Sequence, residues 1–130
     1  MGDELRAALA AAPSDVVAAY LFGSEARGTA RPDSDIDLGL LCTHSPTTLH
    51  GRFGLESTIE QAMRRPVQVV VLNDAPPDLV HRVLRDGKLL LDRDRAARIR
   101  FEVAARNAFF DLAPILERYR HGQRAEGGLR

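Results

Sequence analysis

The sequence predicts a mixed α/β (α+β) domain: a small mixed sheet flanked by helices, with a long helical region towards the C-terminus. Three observations predict it. Val16–Phe22 is continuously apolar with β-branched and aromatic members, as a buried strand is, and 36–41 and the valine-rich 67–72 are mainly apolar runs of strand length. Segments of helical length lie between and after them. Over 94–119 apolar side chains, including Phe101, Ala105, Ala108, Leu112, Ile115 and Tyr119, recur at helical spacing.

Each element follows from its residues. Residues 5–12 read as a short helix stopped by Pro13. Val16–Phe22 is the first strand, and Gly23-Ser24 opens a short helical turn. A polar loop over 28–34 leads to the second strand at 36–41, and Leu49–Met63 forms a helix. The valine-rich run 67–72 is the third strand. Pro77–Asp86 is a helix with Pro77 in its first turn and Gly87 as its stop. Residues 89–91 add an edge strand. Pro114 is expected to kink or divide the helical stretch 94–119. The Gly-rich, charged residues 121–130 read as a flexible tail, leaving 1–120 as one domain.

Composition excludes several classes. Eighteen basic and eighteen acidic side chains cancel, so no electrostatic case exists for direct nucleic-acid binding. Cys42 is alone, which removes any disulfide framework or cysteine zinc site within the chain. His44, His50, His81 and His121 lack metal-ligand spacing. Asp3, Glu4 and Arg6 interrupt the N-terminal run where a signal peptide needs a basic start and an apolar core. No apolar stretch approaches the roughly 20 residues a membrane span needs. A cytoplasmic protein with no membrane partner is expected.

The chemistry concentrates in FGSEARGTARPDSDIDLGLL, residues 22–41. Asp35 and Asp37 stand two apart at the mouth of a strand, so both carboxylates leave by one face while Ile36 and Leu38 enter the core. Paired carboxylates repel unless a cation sits between them, and Mg²⁺ takes one or two carboxylates while filling its shell with water and substrate phosphate. Gly23-Ser24 lies where a buried strand gives way to a helical turn, whose free N–H groups attract phosphate. Arg27 can reach an anionic ligand, Ser34 adds a hydroxyl beside the acids, and Gly28 permits a sharp exit into the loop. A Gly-Ser dipeptide alone is usually a turn, and an Asp-x-Asp alone is usually a solvated edge. Two buried strands joined by one loop that carries both are more specific.

The pattern GS, ten residues, DID resembles the signature of the DNA polymerase β-like nucleotidyltransferase superfamily. The longer run LFGSEARGTARPDSDIDL is similar to the minimal nucleotidyltransferases (MNT). VVVLNDAPPDLVHRVLRDGKLLL and RIRFEVAARNAFFDLAPILERYR resemble the MNT proteins paired with HEPN toxins. The resemblance implies a nucleotidyltransferase fold that uses Mg²⁺ with ATP as substrate. Asp35 and Asp37 would be metal-binding and catalytic, and Gly23, Ser24, Arg27 and Ser34 nucleotide-binding. It further implies an antitoxin that transfers AMP to a tyrosine of a HEPN-type ribonuclease toxin, forming a hetero-oligomer with it. The chain has no Arg-x₄₋₆-His motif of the HEPN kind, so it is not read as the toxin.

One departure matters. The family's third catalytic carboxylate falls at Gln68 here. Glutamine offers a neutral carbonyl but cannot accept the proton of an attacking hydroxyl, and losing a general base costs about 10²- to 10⁴-fold in rate. Asp74 lies six residues on, about 20 Å along an extended strand, while Glu56 or Glu60 could enter from the helix. Three readings follow: a toxin-modifying transferase, a weakened relative that neutralises its toxin by binding alone, and a transferase acting on a small hydroxylated molecule. The last would be expected to add a substrate-binding domain.

Overall fold

A computed structural model describes residues 2–28, 31, 34–43 and 49–129. Strands β1 (Val16–Phe22) and β2 (Ile36–Cys42) are antiparallel neighbours at the centre of a four-stranded sheet. On one side of them β3 (Val67–Val71) runs parallel to β2, and on the other β4 (Lys88–Asp92) runs antiparallel to β1. The helices are α1 (Gly2–Ala10), α2 (Gly23–Arg27), α3 (Leu49–Met63), α4 (Pro77–Asp86) and α5 (Arg95–Leu129). A short 3-10 turn, Leu72–Asp74, follows β3.

The central strands are covered on both faces, which is why β1 is continuously apolar and β2 is apolar apart from Asp37 and Gly39. One face gathers Leu5, Leu9, Leu55 and Ile59 from α1 and α3 against Ile36, Leu38, Leu40, Val67 and Val69. The other packs Val80 and Val83 of α4, with Phe101 and Ala105 of α5, against Val17, Tyr20 and Leu41. Strand alternation therefore places Asp37 and Gly39 on the α4 face with Leu41. A Cβ at Gly39 would indeed press on Leu72 and Val83 at 3.1–3.3 Å.

The sheet's exposed backbone is satisfied by side chains. β3 is an edge strand, and its outward N–H groups at Val67 and Val69 donate to Glu60 and Glu56 of α3, both at 3.0 Å. The Arg93 guanidinium, just after β4, donates to the carbonyls of Ala10, Ala12, Pro13 and Val16 and so closes the end of α1. Asp94 caps α5 by accepting from the Ala97 N–H at 3.1 Å. Tyr20 Oη donates to Glu102 at 2.7 Å, and Arg98 ties Glu102 to Asp92. Burial, and then Glu102, hold the Tyr20 phenol well above its ordinary range.

One expectation needs correction. Helix α5 is not divided at Pro114 but runs from Arg95 to Leu129. Pro114 is exposed, where water can take the carbonyl freed one turn earlier. Gly87 ends α4 as expected, with φ −78° and its N–H donating to Val83 O at 2.7 Å. A Cβ there would run into Val83 O and crowd Leu21 O, so close approach requires the glycine. The boundary expected after residue 120 falls within α5. Of the scattered histidines, His44 lies outside the described residues. Among those residues, no helix is long and apolar enough to cross a membrane.

Candidate functional site

The site begins where the β1–β2 ladder ends. The last pair in register is Phe22 with Asp37, so Gly23, the next residue, sits directly against the Asp37 carboxylate. Gly23 has φ +73°, and a Cβ there would collide with Asp37 Oδ2 and lie 3.1 Å from its Cγ. Both the backbone conformation and the space thus demand glycine. Helix α2 follows and stops at Gly28, also at φ +73°, whose N–H turns back to the carbonyls of Ser24 and Glu25.

Asp35 is exposed just ahead of β2, while Asp37 is half-buried within it. Ile36 and Leu38 are fully buried on the opposite face, as alternation requires. Burial, and secondly the Asp35 charge, raise the Asp37 carboxyl above the usual carboxylate range, and Arg27 partly offsets this. Arg27 itself is exposed at the end of α2 and also acts on Asp86 of α4.

Gln68 pairs in parallel register with Asp37, on the same face and exposed. The alternative acids are elsewhere. Glu56 and Glu60 bind the outer edge of β3, and Asp74 follows the far end of that strand, near Cys42. Among the described residues, no group of three or more His, Cys, Asp or Glu side chains could hold a metal. The donors at the turn are two carboxylates and a neutral amide, all oxygen. That set fits one hard divalent cation that completes its shell with water and phosphate.

Ser34 closes the loop: its Oγ accepts from the Arg31 N–H at 2.8 Å, and its own N–H donates to Arg31 O at 3.0 Å. Ser24 lies within α2, partly buried. The residue that sequence reasoning missed is Arg65. Its Nε and Nη2 donate to Ser34 O at 3.1 and 2.6 Å, and its Nη1 pairs with Glu25. No spacing rule could have found it, because its partners lie 31 and 40 residues away and arginine is abundant throughout this chain.

Residues 4–96 match the model of the family described as "Polymerase beta, Nucleotidyltransferase". No curated protein matches. The chain is similar to one chain of a solved toxin–antitoxin complex with AMP-PNP, at 24% identity and a TM-score of 0.78, over 96% of this chain and 98% of that one. It is also similar to a chain from the tri-AMPylated Shewanella oneidensis HEPN toxin in complex with MNT antitoxin. That match has 22% identity and a TM-score of 0.73, over 97% and 99% of the two chains. A chain of the toxin–antitoxin MntA-HepT matches at 22% identity and a TM-score of 0.72, over 96% of each. At these identities the likeness establishes a common fold.

Proposed function

The chain belongs to the polymerase beta nucleotidyltransferase family, and from that premise we propose that it is an MNT-type antitoxin, a Mg²⁺-dependent transferase moving AMP from ATP to a tyrosine of a cognate HEPN-type toxin. The observation that carries the reading is the Asp37 carboxylate packed against the Gly23 turn, with the Asp35 charge close enough to act on it. A nucleotide analogue in one similar complex and an AMPylated HEPN toxin in another support the choice of nucleotide and acceptor.

In this reaction the tyrosine oxygen bonds to the α-phosphorus of ATP, the bond from that phosphorus to the β-bridging oxygen breaks, and pyrophosphate leaves. When bound by Asp35 and Asp37, Mg²⁺ neutralises the triphosphate and polarises the reacting phosphoryl group. The Gly23-Ser24 turn offers N–H and hydroxyl donors to the phosphates, and Arg27 adds a positive charge from the end of α2. Ser34 serves by fixing the loop ahead of Asp35. The tyrosine proton must go to a carboxylate or to water, because Gln68 cannot take it.

Gln68 beside Asp37 favours a second reading, in which transfer is weak and the toxin is neutralised by occupancy alone. Either way a hetero-oligomer is required, and the exposed Ile99, Val103 and Phe110 of α5 offer apolar surface for it. The same reading puts the protein in the cytoplasm, where ATP is available, with 1–120 as the transferase unit. The test is the intact mass of the co-purified partner after incubation with ATP and Mg²⁺. AMP adducts that vanish with Asp35→Ala/Asp37→Ala support transfer, and an unmodified but stably bound partner supports occupancy. Absence of both complex and adduct overturns both readings.

A further inference from the structure

The β1–β2 ladder stops at Phe22 and Asp37, so the chain between them leaves the sheet without a ladder to hold it. What spans this gap comes from the turn between α3 and β3. There Arg64 takes a left-handed conformation, φ 55°, with its N–H on Glu60 O at 2.7 Å, and Pro66 O accepts the Ile36 N–H at 2.8 Å. Between them, Arg65 reaches both arms of the site at once, with Nη1 on the Glu25 carboxylate of α2 and Nε and Nη2 on the carbonyl of Ser34, the residue before Asp35. The two charged side chains are only 16% and 12% exposed, so their pairing is largely withdrawn from water. A charge pair so placed contributes little net stability, because desolvation opposes attraction. Its distinct consequence is geometric, since a planar fork fixes direction as well as distance.

We propose that Arg65 is a positioning residue for the nucleotide. It sets the gap between the Gly23-Ser24 turn and the Asp35–Asp37 pair, and it cancels the Glu25 charge one residue from Ser24. This rests on the transferase reading above. Without Arg65, the Glu25 carboxylate adds negative charge where a triphosphate must bind, and the segment entering Asp35 loses its tether.

The test is calorimetric binding of Mg²⁺-AMP-PNP to the full chain, with urea unfolding of each variant alongside. Arg65→Ala should weaken binding about 10- to 100-fold, the usual effect of losing a group that orients a ligand site from behind. Arg65→Lys keeps the charge but lacks the fork and should bind between the two. Adding Glu25→Ala to Arg65→Ala should restore part of the affinity while restoring no contact, and should do so without a matching recovery in urea stability, whereas a purely structural ion pair would recover both together. Parental affinity in either Arg65 variant, or no recovery in the double variant, overturns the proposal. If Arg65→Ala does not fold, Arg65→Lys decides alone. A parent protein that binds no nucleotide overturns the transferase reading and this inference with it; a parent that binds while its variants bind equally overturns only Arg65.

Discussion

The two ends of β2 are built on opposite principles. At the Cys42 end polar groups meet complementary partners. Cys42 exchanges both backbone hydrogen bonds with the Asn73 side chain at 2.9 Å, Thr43 N–H donates to Asp15 O at 2.8 Å, and Arg93 closes the nearby end of α1. Burial, followed by Asp15 and Asp74, pushes the Cys42 thiol up to about 11, so it stays protonated and unreactive. At the Asp37 end one carboxylate packs against a glycine turn, and burial, with the Asp35 charge added, holds it above its ordinary range. One end of the strand holds the fold closed, while the other carries a repulsion that Arg27 offsets only in part and that a bound cation would relieve.

Substitutions at the two ends should therefore separate binding from stability. The largest effect is expected from Asp35→Ala/Asp37→Ala, which should abolish the Mg²⁺-dependent calorimetric signal for ATP while the protein stays folded. Unchanged affinity would move the site elsewhere. Gly23→Ala should follow. A left-handed backbone conformation at a non-glycine residue costs about 1–3 kcal/mol, and the new Cβ would also displace the Asp37 carboxylate, so urea unfolding and nucleotide titration should both register the change. Asn73→Ala, at the closed end, should lower stability by about 1–3 kcal/mol through the unpaired Cys42 backbone groups, yet leave nucleotide affinity at the parental value. A loss of affinity there would show that the two ends are coupled.

The smallest effect is a matter of sign. The folded state holds the Asp37 proton more tightly than the unfolded chain does. Stability from this group is therefore present below the ordinary carboxylate range and lost as pH rises through the raised range of the folded protein. Without divalent cation, the melting temperature of Asp37→Asn should exceed the parent's at neutral pH and vary less with pH. Mg²⁺ with nucleotide should reverse the ranking by stabilising only the parent.

Much of this contrast was legible in the sequence. The limits of β1 follow from its continuous apolar run and those of α4 from Pro77 and Gly87, because tertiary burial and local preference agree there. The Asp-x-Asp spacing places both acids at one strand mouth, and Gln68 falls in register with Asp37 as the pattern required. Long side chains reaching across the fold were not legible. Arg65, Arg93, Glu56 and Glu60 each satisfy backbone or charge on another element, and an arginine or glutamate in a sequence does not disclose where its flexible stem will lead. Pro114 misled for a related reason, since its cost inside a helix depends on whether water can reach the carbonyl it frees.

The proposed function makes the open end of β2 a transfer site lacking one carboxylate. It is tested most directly by transfer of labelled AMP from ATP to the co-purified partner, measured for the parent, Gln68→Asp and Asp37→Ala. A carboxylate at residue 68 would lie in register with Asp37 and supply the proton acceptor that glutamine cannot. Slow transfer by the parent, faster transfer by Gln68→Asp and none by Asp37→Ala are expected. Robust transfer by the parent with no gain in Gln68→Asp, or transfer that survives Asp37→Ala, would contradict this reading.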